Sequence, residues 1–205
     1  MYLFKEQAND LMKSVTKNVS GELKEKTDYI LALRDDDDWS MIIKSHALIE
    51  SLVTELLLAK TEEPKLRSLM ERLPLSDEQI GKVKVAKDYG LLSSGERAFI
   101  KKLSTLRNDL VHKFENVDFD LSTHVTTLDH NQQKAWKSTF TWFQQEKEAS
   151  SNLAKAAIEH PKTTVWLSIF MFVALNVIKI GEIKGKSQIQ TAAKKTTQEL
   201  LNKSV

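Results

Sequence analysis

Arg107, Asn108 and His112 gather, within about one and a half helical turns, the side-chain types that metal-free cleavage of a phosphodiester requires. Breaking RNA this way takes a base for the 2′-OH, an acid for the leaving 5′-oxygen and a cation for the phosphorane. Histidine exchanges protons near neutral pH. Arginine stays charged, and its planar fork donates two parallel bonds to phosphoryl oxygens. Spacing refines the pattern. Positions i and i+5 stand about 140° apart on a helix, so Arg107 and His112 do not share a face. Asn108 and His112 do, and Asn108 is placed to orient the imidazole. One helix makes an incomplete site. Two copies facing across a two-fold axis would bring two Arg–His sets round one groove. The plainer alternative is a surface Arg107 paired with Asp109 or Glu96, and a His112 that meets the helix dipole.

Around this motif stand secondary candidates. Glu50 is an acid that could hold His112 or Arg107 from behind, and it equally reads as a solvated helix carboxylate. His46, four residues earlier, reads first as a bundle histidine and second as a supporting group. Lys101, Lys102 and Lys113 flank the motif and could steer an RNA backbone. His124 and His130 have no metal partners in the sequence. Trp136, Phe140 and Phe143 share a helical face and read as core rather than base-stacking residues. Residues 35–38, four consecutive Asp, read as a helix N-terminus, because consecutive side chains do not converge on one ion. No metal site and no cofactor is expected.

The elements that must position these residues are helices. Only 6 Gly and 3 Pro punctuate 205 residues, which favours long helices over a turn-rich β fold. Residues 2–20 form an amphipathic pattern that stops near Gly21, followed by a helix over 22–33. Residues 39–60 carry the clearest stripe, with Ile42, Ile49, Val53 and Leu56 on one side. Pro64 opens a short helix that Pro74 ends. Ser76 to Gln79 and Ser93 to Glu96 are capping-box patterns. The first predicts a helix up to Gly90. The second predicts the helix that carries the motif, with Phe99, Leu103, Leu106 and Leu110 as its core face. Residues 115–127 read as a loop, and 128–160 as one long helix that Pro161 breaks. The tail from Gly181 reads as basic and weakly helical.

The chain carries 30 basic and 28 acidic residues, a net charge of +2. That balance lacks the global basic footprint of a nucleic-acid-binding chain, so any basic patch must be local. It contains no Cys, which excludes disulfides and thiol chemistry. The N-terminus lacks the basic start and apolar run of an export signal, and a cytoplasmic location is expected. Residues 163–178 contain no charge and are apolar all round. Such a helix is either buried or in a membrane. It falls at the short edge of the roughly 17–25 residues that span a bilayer. The lysines after it would leave the motif on the wrong side. A buried or dimer-interface helix is therefore the preferred reading, and a membrane-associated tail the alternative.

Arg107-Asn108-x-x-x-His112 resembles the R-polar-x(3)-H form of the motif of HEPN domains. The helix Trp39-Ser40-Met41-Ile42-Ile43-Lys44-Ser45-His46-Ala47-Leu48-Ile49-Glu50 is similar to an early helix of that superfamily. Tyr89-Gly90-Leu91-Leu92 followed by the motif helix resembles its mannitol-operon repressor branch. The resemblance covers residues 36–145. It implies an all-α, HEPN-like helical bundle with a C-terminal helical extension, acting as a homodimer. It divides the chain into N-terminal helices (1–35) packing on the bundle, the HEPN-like domain (36–145) and the extension (146–205). It further implies a metal-independent endoribonuclease of a defence or toxin–antitoxin type, with RNA as substrate and an antitoxin or defence-system protein as partner. In that role Arg107 and His112 are catalytic and Asn108 is their polar neighbour. Cleavage would leave 2′,3′-cyclic phosphate and 5′-hydroxyl ends. The alternative within the same resemblance is a non-catalytic regulatory or interaction module.

Overall fold

A computed structural model describes residues 2–112, 114–144 and 152–202. Among them the chain is all helical and has no strand. Helix α1, Lys5–Leu33, runs unbroken where the sequence predicts two helices. A helical Gly costs about 1 kcal/mol relative to Ala, too little to end a helix whose one face is packed along its length. Helix α2, Asp38–Thr61, begins as the acidic run predicts. Asp37 caps it, accepting from the Ser40 N–H at 2.7 Å. Asp38 is buried and accepts from the Leu121 N–H at 2.7 Å, with Lys162 Nζ at 3.3 Å. Asp37 thus serves as the cap and Asp38 as an anchor to α6 and α9, while Asp35 and Asp36 pair with Arg34 and Lys44.

A 3-10 turn, Pro64–Leu66, leads into α3, Arg67–Arg72. The box at Ser76 does not start a helix. Instead Asp77 Oδ1 accepts from the N–H groups of Gln79 and Ile80, and α4, Lys82–Asp88, begins five residues after Asp77. Gly81 makes this possible, since a Cβ there would lie 2.3 Å from the Asp77 carbonyl oxygen. The box at Ser93 does form: Glu96 N–H donates to Ser93 Oγ at 3.2 Å, and Ser93 N–H to Glu96 Oε2 at 2.7 Å. It opens α5, Ser94–Val111.

The predicted loop 115–127 contains a 3-10 turn, Phe114–Asp118, and a short α6, Leu121–Thr126, capped by Asp120. The predicted single helix over 128–160 is two helices, α7, His130–Phe140, and α8, Asn152–Glu159. Trp136 is buried and donates to the Ala157 carbonyl at 3.0 Å, so α7 and α8 fold back on each other.

Helix α9, Pro161–Asn202, is the longest element, about 63 Å at 1.5 Å per residue. It absorbs both the apolar segment and the tail that reads as weakly helical. Pro161 is its first residue, where a missing N–H costs nothing. Val165, Ile169, Phe172, Val173 and Val177 are buried with Ile42, Phe99 and Phe140 in the one core. Helix α9 contains an 18-residue stretch that is apolar enough to cross a membrane by length and composition, and 56% of that stretch is buried inside the protein. The apolar part of α9 thus packs in one core with α2, α5 and α7.

Beyond the core, α9 is held by α1, which runs antiparallel to it. Trp166 Nε1 donates to the Ile30 carbonyl at 2.7 Å at one end, and Tyr2 N–H to Thr197 Oγ1 at 2.7 Å at the other. Between these points Gly181 and Gly185 form a flat strip against Val19 and Val15. A Cβ on Gly181 would come within 2.1 Å of a Val19 methyl, and one on Gly185 within 3.1 Å of a Val15 methyl. The glycines permit close helix approach, and the pairing gives the basic tail its helix.

Candidate functional site at the end of the fifth helix

Helix α5 crosses α2 with Trp39 near its C-terminal end, where the indole N–H donates to the Leu110 carbonyl at 3.5 Å. Asn116 Nδ2 donates to the Asp109 carbonyl at 2.7 Å, which satisfies another carbonyl of the last turn. The helix end that carries the motif is therefore fixed from two sides.

Arg107 is half-buried, whereas Asn108 and His112 are exposed. Arg107 Nη1 donates to Asn108 Oδ1 at 3.1 Å, so Asn108 orients the guanidinium. The expected Asn108–His112 bond is not formed among the described residues. His112 is the C-cap residue, with φ −87° and ψ −9°. Arg107 has no carboxylate partner among the described residues, so neither the Asp109 nor the Glu96 pairing expected of an ordinary surface arginine occurs.

The neighbours of Arg107 come from α2. His46 Nε2 lies 3.2 Å from Ser104 Oγ. Ser104 and Arg107 are i and i+3 on α5 and share a face, so Arg107 stands beside His46. Burial pushes the His46 imidazole below its ordinary pKa, the charges of Arg107 and Lys82 push the same way, and Glu50 opposes them. These influences together favour the neutral form of the His46 imidazole. Glu50 holds neither His112 nor Arg107. Its Oε1 accepts from Lys82 Nζ at 2.9 Å, and the Lys82 side chain is only 2% exposed.

Two of the three flanking lysines are already engaged. Lys101 is paired with Glu78. Lys102 Nζ sits 5.8 Å from the Trp136 ring centroid. Lys113 lies outside the described residues. On the other side of α5 is an acidic cleft of about 500 Å³ lined by Asp109, Glu115, Asp118, Asp120 and His124, among others. Burial pushes His124 below its usual pKa, with Lys102 acting the same way. His130 is exposed at the start of α7. Among the described residues no three His, Asp or Glu side chains cluster with metal-ligand spacing.

Sequence reasoning missed Ser104 and Lys82. Ser104 sits one turn before Arg107 on the face toward α2, and that spacing was available as a signal. Lys82 gave none, since a lysine opening a short helix is ordinarily solvated. Comparison with family models, with curated proteins and with solved structures finds no match.

Proposed function

We propose that the chain is a metal-independent endoribonuclease with a HEPN-like bundle. It cuts RNA to 2′,3′-cyclic phosphate and 5′-hydroxyl ends, in a defence or toxin–antitoxin setting with an antitoxin-type partner. The observation that carries this reading is the state of Arg107. It is a half-buried arginine with no carboxylate partner among the described residues, its guanidinium bonded to Asn108 at the exposed surface, on the same final turns of α5 as an exposed His112. An arginine whose stem packs on the protein and whose head meets no carboxylate keeps guanidinium donors unused. One left with donors to spare suits an anion from outside. Arg107 then stabilises charge on the phosphorane, and His112 transfers a proton.

The two side chains leave α5 in directions about 140° apart, so one protomer does not complete the constellation. The working unit is a homodimer in which His112 of one copy meets Arg107 of the other. The apolar stretch of α9 serves as core in this reading rather than as an anchor, and the protein acts in the cytoplasm.

The test is cleavage of RNA by purified protein in EDTA, with the ends analysed for cyclic phosphate. Wild-type cleavage, lost in both Arg107→Ala and His112→Ala, is the expected result. Equal cleavage by wild type and His112→Ala identifies a contaminant and removes the assignment.

A second reading, a non-catalytic regulatory module similar to the mannitol-operon repressor group, is favoured by the charge around the motif. Lys101 and Lys102 are occupied, and the neighbouring cleft is acidic. That surface repels an RNA backbone on one side and suits a basic protein segment.

A further inference from the structure

We propose that His46 and Arg107, on neighbouring helices of one protomer, form a seat for a phosphate group. Ser104 fixes the imidazole and Asn108 fixes the guanidinium. The inference deepens the ribonuclease reading and rests on it only for the source of the phosphate.

Three observations build the seat. First, Ser104 is buried and takes up His46 Nε2. Nδ1 has no partner among the described hydrogen bonds, and it is absent from the unpartnered nitrogens that are sealed from water. This nitrogen is therefore not sealed from water, and its bonding capacity is unspent. Second, Asn108 Oδ1 occupies one Arg107 nitrogen, which leaves the other guanidinium donors and the exposed Asn108 amide N–H groups available. Third, every carboxylate that faces His46 is accounted for. Glu50, one turn on along α2, is drawn to the buried Lys82 of α4. Lys82 and Arg107 press positive charge on the imidazole from α4 and α5. The flank of Arg107 is thus a place where a guanidinium and an imidazole meet, with Glu50 drawn away to Lys82.

An anion at Arg107 relieves this arrangement. It offsets the positive charge that disfavours the imidazolium and accepts a bond from a protonated Nδ1. One proton is taken up from solvent at His46 as a phosphate dianion binds. Affinity for the dianion therefore rises as pH falls toward the His46 midpoint. The same linkage gives the seat a proton-transfer group inside one protomer, whereas the motif histidine requires a second copy.

The experiment is a proton NMR titration of the full chain's histidine signals, with and without inorganic phosphate. The His46 signal is assigned by its loss in His46→Gln. The expected result is an upward shift of the His46 midpoint with phosphate, absent in Arg107→Gln, where phosphate binds about tenfold or more weaker. Arg107→Lys keeps the charge but not the fork, retains the fold, and is expected to show a partial shift. A His46 midpoint that ignores phosphate, or that shifts equally in Arg107→Gln, overturns the seat.

A second arm uses a 2′-O-methyl RNA oligonucleotide, which binds but lacks the hydroxyl needed for cleavage. Displacement of phosphate by this oligonucleotide identifies an RNA phosphodiester as the ligand. Phosphate binding without displacement upholds the seat for a free phosphate and overturns the ribonuclease reading. RNA cleavage with a His46 signal indifferent to phosphate does the reverse.

Discussion

The two ends of α5 treat polar groups in opposite ways. At the N-terminal end, Glu96 is 5% exposed, and its oxygens are fully used. Oε2 accepts the capping bond from Ser93, while Oε1 accepts from Asn176 Nδ2 and Lys179 Nζ, both at 3.1 Å. Lys179 also donates to the Leu91 carbonyl at 2.7 Å. At the C-terminal end, Arg107 has one bond to its own neighbour, and His46 keeps a nitrogen unpaired. A buried polar network with every member satisfied rigidifies a fold. One with bonding capacity left over keeps donors and acceptors free for a ligand. The first end is scaffold, and the second is the candidate for chemistry.

This contrast is sharpest when each end is broken separately. Arg107→Ala is expected to lower RNA cleavage by about 10²–10³-fold, the usual scale for losing a preorganised donor to a developing anion. Its denaturation midpoint should stay close to wild type. A large loss of stability with activity per folded molecule retained would reverse the assignment of the two ends. Glu96→Ala should do the opposite. It removes a cap and strands Asn176 and Lys179, a loss of about 2–4 kcal/mol by denaturant titration. An unchanged midpoint would show that the triad contributes nothing to the scaffold.

The pH dependence follows from the same residue. Burial pushes the Glu96 carboxyl up, but the Ser93 bonds and the Lys179 charge outweigh it and hold it below its ordinary value of 4.5. A depressed folded value means stability present above pH 4.5 and lost as pH falls through the lower folded value. Wild type should therefore lose stability below pH 4.5 more steeply than Glu96→Gln, and parallel curves would refute the linkage.

The α1–α9 pair offers a finer comparison between two helical glycines. Gly181→Ala drives a methyl into Val19, a stiff β-branched neighbour, and should destabilise by about 1–3 kcal/mol. Gly21→Ala has open space within 4 Å and should stabilise by roughly 0.5–1 kcal/mol. Similar melting temperatures for the two variants would mean that α1 and α9 do not pack closely in solution.

Much of the fold was readable because its signals are local. The Ser93–Glu96 box, the acidic run that opens α2 and the core stripe of α2 depend on residues one or two turns apart, and each formed as read. The Ser76 box failed because Asp77 took its bonds in a tight turn that Gly81 made room for. Gly21 failed as a stop because α9, far away in sequence, covers the helix it was read to end. The site was legible in part. Arg107, Asn108 and His112 stood out by type and spacing, but the pairing within them differs, since Asn108 serves Arg107.

The sequence by itself determined that the chain is helical, where several helices begin, and which turn of α5 carries an arginine, an amide and a histidine. Propensity, capping and side-chain spacing act over one or two turns, and a single segment contains them. Only the tertiary structure decided that His46 meets Ser104 from 58 residues away, that Glu50 serves a buried Lys82, and that the apolar helix lies in the core. Desolvation and charge pairing depend on what distant elements place nearby, so the same glutamate or histidine is scaffold or site according to its neighbours.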